Sequence, residues 1–250
     1  MDALSVIILA AGKGTRMKSD LPKVLHKVAG KSMVHYVIAS AMHLTRDHIH
    51  VVVGHQAQKV QKEVAAHFNV HFCLQKTLLG TGDAVKSALP HLAAHIRDVV
   101  VLCGDVPLIQ PRTLVDLVQA HQTSDAVVTL LAADLENPFG YGRIIQDQNK
   151  NVVAIREEAD ASVVEKTIQR INTGIYCFNR NFLFRAVDLL RPDNRQSEYY
   201  LTDVVDIAVK QKEKIAVKTL AEPRQVMGVN TLDELEKARQ LIGQMENELP

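Results

Sequence analysis

Residues 5–23 read SVIILAAGKGTRMKSDLPK, and the fold follows from how this stretch is read. Ser5–Leu9 is an unbroken apolar run that ends in small residues, the pattern of a strand buried on both faces of a parallel sheet. The chain then meets Gly12 and Gly14, which let a backbone turn tightly and approach a ligand with no side chain in the way. Successive N–H groups in such a turn form a nest for an anion. Lys13, Arg16, Lys18 and Lys23 place four cations in the same loop. Arg16 can grip a phosphate through two parallel bonds, whereas Lys23 acts as a point charge. The common glycine motifs do not fit. No Gly is followed four residues later by Gly-Lys-Ser or Gly-Lys-Thr, and Met17 stands where a dinucleotide fingerprint needs Gly or Ala. A glycine pair alone reads as a solvated turn. The buried strand before it and the spaced Arg and Lys within it turn the reading toward a phosphate cradle.

Outward from this loop, apolar runs and helical stripes alternate. Strands are expected at Ile49–Val53, Val70–Leu74, Val99–Cys103 and Ala126–Ala132, with helices at Val34–Leu44, Gln56–Phe68, Gly80–Leu89 and Arg112–Gln122. That alternation predicts an α/β fold, a doubly wound, mostly parallel Rossmann-like sheet. Ligands of such sheets sit beyond the carboxyl ends of the strands. Ala10–Lys23, Gln75–Gly82 and Gly104–Pro107 all fall there, so one crevice should gather them. The second half reads as a hairpin at Gly142–Gln146 and Val152–Arg156, a strand at Ile171–Phe178, helices at Phe182–Leu190 and Tyr200–Val209, and a strand at Ile215–Thr219. Thr231–Met245 is an amphipathic helix with Leu232, Leu235, Ala238 and Ile242 on one stripe. A single domain is expected, with a nucleotide lobe over residues 1–135, a smaller lobe over 136–230 and a terminal helix over 231–250.

The composition narrows the function. Apolar residues are 47% of the 250, aromatics only 4%, so Val, Leu, Ile and Ala must build the core. A net charge of +1 gives no electrostatic case for nucleic acid or an anionic membrane, and no apolar run reaches spanning length. Met1-Asp2 leads straight into a strand, so no signal peptide is expected. Cys73, Cys103 and Cys177 lack zinc-ligand spacing and read as buried thiols of a reduced cytoplasm. The eleven histidines, all between His26 and His121, read as surface or packing residues.

LAAGKGTRMKSDLPKVL resembles the signature of the sugar nucleotidyltransferases, L-x-x-G-x-G-T-R-M followed by P-K. Gly104-Asp105-Val106-Pro107-Leu108 resembles the family's G-D-x-P-L, and Gly228-Val229-Asn230 its second metal segment. Read alone, Gly104-Asp105 is a turn or a carboxylate placed to hold Mg²⁺ against phosphates. The resemblance implies that Asp105 and Asn230 are the Mg²⁺ ligands. Taken alone, Gly80-Thr81-Gly82 is a helix cap. In the resemblance it joins Gln75 to read a pyrimidine, while Leu9, Ala10, Gly12 and Gly14 hold the nucleotide. PFGYGR at 138–143, Glu157 to Asp160, INTG at 171–174 and EYYLTD at 198–203 are each bland alone. In that order they resemble the N-acetylglucosamine-1-phosphate uridylyltransferase domain, from Ser5 to about Leu235.

That resemblance implies a GT-A-like fold and a Mg²⁺-dependent transfer from UTP to N-acetylglucosamine 1-phosphate. Gly142, Glu157, Asn172, Glu198, Tyr200 and Thr202 would hold the sugar, and Arg16 and Lys23 would be catalytic. A cytidylyltransferase, or the enzyme that loads a nucleotide onto molybdopterin, is the nearest rival, and INTG and EYYLTD argue against both. A sugar-nucleotide sensor would have no need of Arg16, Lys23 and Asp105. Two departures stand out. Glu158 occupies a position where the family more often has a basic residue or histidine. The family's left-handed β-helix acetyltransferase, which makes the trimer, has no counterpart here. The chain therefore reads as a single-activity enzyme or an excised domain, with its oligomeric state open.

Overall fold

The computed structural model describes residues 3–247; Met1-Asp2 and the closing residues 248–250 lie outside it. In chain order the strands are β1 (Leu4–Ala10), β2 (Lys27–Val28), β3 (Lys31–Ser32), β4 (Ile49–Val53), β5 (His71–Leu74), β6 (Asp98–Cys103), β7 (Val128–Asp134), β8 (Gly142–Gln146), β9 (Val152–Arg156), β10 (Arg170–Asn179) and β11 (Ile215–Thr219). The helices are α1 (Met33–Ala41), α2 (Ala57–Ala65), α3 (Thr81–Ala88), α4 (Pro111–Ser124), α5 (Arg180–Leu189), α6 (Asp203–Lys210) and α7 (Leu232–Asn247).

The main sheet runs β11-β7-β10-β6-β1-β4-β5, with the β8–β9 hairpin attached through β10. β1 lies parallel to β4 and β6, and β5 is parallel to β4. The fold is therefore the expected α/β arrangement of a mostly parallel sheet covered on both faces. Alternation along the strands shows why. Val6, Ile8, Val51, Val53, Val100 and Leu102 join the core under α1, α2 and α4. Ile7, Val52, Val99 and Val101 join the core under α3, α5 and α6. β1, β4 and β6 thus bury both faces, which a continuous Val/Ile/Leu run permits and an alternating run would not.

Within the β11-to-β5 order, one strand departs from parallel. β10 inserts antiparallel between β6 and β7, two strands from the first half of the chain. Its register breaks between Asn172 and Tyr176, where Gly174 takes φ +76°, so INTG is a bulge. Before the bulge, β10 keeps β7 on one edge and takes β8 on the other, setting Asn172 opposite Gly142. The β2–β3 hairpin, turning through Ala29 and Gly30 at positive φ, is absent from the sequence reading because two-residue strands carry no periodicity.

A third core lies beneath the phosphate loop. Leu235, Ala238 and Ile242 of α7 pack on Met17, Val28, Met33, Leu108 and Val229. Leu232, which the stripe included, is 55% exposed at the first helical position and takes no part. Cys73 and Cys177 are buried as expected, but Cys103 is only half-buried. Among the described residues no helix is long and apolar enough to cross a membrane.

Candidate active site

A cleft of about 500 Å³ opens at the carboxyl ends of β1 and β6. Its walls are Leu9 to Thr15, Lys23, Gln75, Gly80, Thr81, Cys103, Asp105 and Glu198, together with Val24, Leu78 and Ala84. The three polar segments singled out in the sequence do meet in one crevice. Gly12 faces open space there. Gly14 is required for a different reason. It sits at φ +63°, and a Cβ on it would lie 2.5 Å from Lys23 Cβ. The loop folds back so that Gly14 and Lys23 touch. Met17, 1% exposed, anchors the loop from below, and Val24 and Leu25 are buried beside Lys23.

Four predicted residues meet at one point. Lys23 Nζ forms an ion pair with Asp105 Oδ2 and donates to Asn230 Oδ1 at 2.7 Å. Arg16 Nη2 donates to the same Asn230 oxygen at 2.8 Å. The pairing spans 214 residues, from the first loop to the start of α7. Val229 N–H donates to the Asp105 carbonyl at 2.9 Å, which presses the two segments together. Thr231 and Glu234 form a capping box at the start of α7, with Glu234 N–H donating to Thr231 Oγ1 at 3.2 Å and Thr231 N–H to Glu234 Oε2 at 3.0 Å. The same Glu234 oxygen accepts Asn230 N–H at 2.6 Å, so the cap also fixes Asn230. Sequence reasoning missed Glu234, although Thr-x-x-Glu before an apolar stripe was there to be read.

Gln75 is buried, and its Nε2 donates to Gly80 O at 3.1 Å and Asp83 Oδ2 at 2.8 Å. The Gly80–Gly82 segment is zipped to the EYYLTD segment. Tyr199 N–H donates to Leu79 O at 2.7 Å and Gly82 N–H to Tyr199 O at 2.8 Å. Leu201 N–H donates to Thr81 Oγ1 at 3.0 Å. Gly80 tolerates no side chain, because at φ +111° its Cβ would lie 2.7 Å from Tyr199 O. Glu198 reaches the cleft from this zipped edge.

Gly142, Glu157, Asn172 and Thr202 form a second group. Thr202 Oγ1 donates to Glu157 Oε1 at 3.1 Å, and a Cβ on Gly142 would lie 3.3 Å from Glu157 Oε2. Burial pushes the Glu157 carboxyl up, against the Thr202 hydrogen bond, and the charges of Asp203, Asp160 and Glu198 push the same way. Asn172 is buried and its Nδ2 donates to Tyr176 Oη at 2.6 Å. Cys103 connects this group to the cleft. Loss of solvation, with Asp105 and Glu157 adding to it and Lys23 opposing, raises its thiol to about 12, which favours the protonated form. Tyr200 does not line the cleft; its phenol donates to Gln196 Oε1 at 2.8 Å. Tyr141 Oη accepts Gly228 N–H at 3.2 Å and so ties PFGYGR to the segment carrying Asn230.

The chain matches the MobA-like NTP transferase domain over residues 6–196. It is 45% identical over 235 residues to the bifunctional protein GlmU of Desulfotalea psychrophila, covering 94% of this chain and 69% of that protein. To the bifunctional protein GlmU of Geobacter metallireducens it is 47% identical over 238 residues, covering 95% and 50%. To that of Pelotomaculum thermopropionicum it is 47% identical over 237 residues, covering 94% and 51%. The chain therefore spans between half and about two thirds of the length of these relatives.

Proposed function

We propose that this chain, which belongs to the MobA-like NTP transferase domain family and is a nucleotidyltransferase, transfers uridylyl from UTP to N-acetylglucosamine 1-phosphate. The observation that carries the reading is the meeting of Arg16, Lys23, Asp105 and Asn230 at one edge of the cleft. Two cations and two oxygen ligands brought together across the whole chain suit phosphoryl chemistry.

An oxygen of the sugar phosphate attacks the α-phosphorus in line. A new P–O bond forms, the bond from the α-phosphorus to the bridging oxygen breaks, and its electron pair leaves with pyrophosphate. The nucleophile needs no dedicated base, since a phosphomonoester with a second pKa of ~6 is largely dianionic at neutral pH. Positioning and charge neutralisation then supply the catalysis. Arg16 holds the departing pyrophosphate. Lys23 steadies the attacking phosphate and the charge growing at the α-phosphorus. Leu9, Ala10, Gly12 and Gly14 offer backbone to the triphosphate, and Gln75, Gly80 and Thr81 read the uracil.

Asp105 and Asn230 suit a divalent cation, because their oxygens already converge on a single positive charge, the Lys23 ammonium. One carboxylate and one carboxamide fit Mg²⁺, which needs few protein ligands beside phosphate oxygens. Bound there, Mg²⁺ would neutralise charge on the phosphates. The sugar lies against Gly142, Glu157, Asn172, Glu198 and Thr202, with Tyr200 backing the wall. The nucleotide lobe is residues 1–135 and the sugar lobe 136–230. The compartment that fits three free thiols is the cytoplasm.

The test is pyrophosphate release from UTP, N-acetylglucosamine 1-phosphate and Mg²⁺. Galactosamine and glucose 1-phosphates serve as acceptor controls and CTP and GTP as donor controls. Turnover that prefers CTP or GTP, or no turnover with this acceptor, overturns the assignment.

A further inference from the structure

Glu158 stands where the resemblance leads one to expect a basic residue or histidine, and the structure gives it work. Pro138 to Tyr141 form a turn closed by Tyr141 N–H donating to Pro138 O at 3.2 Å, with Gly140 at φ +86° in its third position. The turn has little packing of its own. Phe139 is 76% exposed, and a Cβ on Gly140 would meet open space. Glu158 holds it instead. Its Oε2 accepts Gly140 N–H at 3.2 Å and pairs with Arg143 Nη1 at 2.8 Å. Its Oε1 pairs with Lys166 Nζ at 3.2 Å. Arg143 is 2% exposed, and it also donates to the Tyr141 carbonyl and, at 3.5 Å, to Lys166 O.

We propose that Glu158 is a positioning residue that latches the Gly140–Arg143 loop and so sets acceptor affinity without touching the acceptor. The inference rests on reading Gly142 and Glu157 as acceptor contacts. Gly142 lies inside the latched loop, and Glu157 is the neighbour of the latch itself. A Cβ on Gly142 would lie 3.3 Å from Glu157 Oε2, so the two stand side by side. Burial opposes the Glu158 charge, but the donors Arg143, Gly140 and Lys166 outweigh it and keep the carboxyl below its usual range. The latch is therefore fully charged at neutral pH.

Wild-type enzyme is first assayed to establish that N-acetylglucosamine 1-phosphate is accepted. E158A should then raise KM for that acceptor about tenfold, and E158Q by a smaller factor, because a shift in a positioning element is read mainly in binding geometry. KM for UTP should stay within about twofold in both variants. E158A leaves Arg143 buried without its carboxylate, so E158Q, whose single carbonyl oxygen keeps an acceptor for Gly140 and Arg143 while giving up the one for Lys166, decides the matter if E158A does not fold. Parallel rises in both KM values, or no change in a folded variant, overturn the proposal. Hydrogen exchange of residues 137–143 needs no substrate. Faster exchange in E158Q supports the latch even where the acceptor is misassigned, and unchanged exchange overturns it.

Discussion

The two ends of the site are built from opposite materials. At the proposed triphosphate end, cations stand in an open cleft on a loop that turns through glycine. At the proposed acceptor end, Asn172 and Thr202 are buried and Glu157 half-buried, all hydrogen-bonding groups, with an excess of negative charge around Glu157. The difference matches two tasks. Charge grips a polyphosphate strongly and without fine discrimination. Buried, fully directed polar groups discriminate sharply, because a wrong ligand leaves them unpaired.

The contrast is tested most severely at Lys23 and Arg16. Lys23→Ala and Arg16→Ala should each lower kcat by about 10³-fold while circular dichroism and melting stay near wild type. If turnover falls less than tenfold in both, the cationic end does not do the chemistry. At the other end, Asn172→Ala and Glu157→Gln should raise acceptor KM by about 10- to 100-fold and erode the preference over glucose 1-phosphate, with UTP binding spared. Uniform loss for donor and acceptor would erase the distinction between the ends. Glu234→Ala removes the capping box and the brace on Asn230. It should cost about 1 kcal/mol of stability by chemical denaturation and raise the Mg²⁺ concentration for half-maximal rate about tenfold.

The smallest effect concerns Asp203, at the acid-rich end. Burial, with Asp206 beside it, raises its carboxyl from 3.8 to about 6. The folded state keeps that proton to higher pH than the unfolded chain does. Its contribution is therefore full below about pH 4 and drains away as pH rises toward 6. Asp203→Asn should gain about 1 kcal/mol at pH 7.5, the gain fading by pH 4, as read from denaturant unfolding at the two pH values. A gain that does not change with pH would show that charge burial is not the cause.

The triphosphate end was the more legible in sequence for the same reason that it is simple. Gly12, Gly14, Arg16 and Lys23 lie within one loop, and β1 announces itself as an apolar run. The partner Asn230 was reachable only by resemblance, since nothing local says that residue 230 returns to residue 16. The acceptor end is assembled from four segments. Its geometry depends on β10 entering antiparallel between β6 and β7. An apolar strand pattern carries no sign of direction, so this insertion was invisible, and with it the pairing of Asn172 with Gly142. The direction of the Tyr200 ring, which turns to Gln196, was unreadable for a related reason. EYYLTD gives the order of its residues but not which way each ring turns. Glu158 was noticed as a departure, yet its partners Arg143 and Lys166 become neighbours only once β8 and β9 pair.

The strap joining Leu79–Gly82 to Tyr199–Leu201 bears on how such an enzyme could be redesigned. On the proposed assignment, donor choice and acceptor choice share a backbone there, through Tyr199, Thr81 and Leu201. A change that reshapes the base loop must also move the wall carrying Glu198. Libraries that vary the two segments separately would sample mostly mismatched pairs, whereas varying 78–82 and 198–202 together keeps the seam closed. Whatever nucleotide and sugar a descendant of this chain comes to use, the two specificities would have to shift in step.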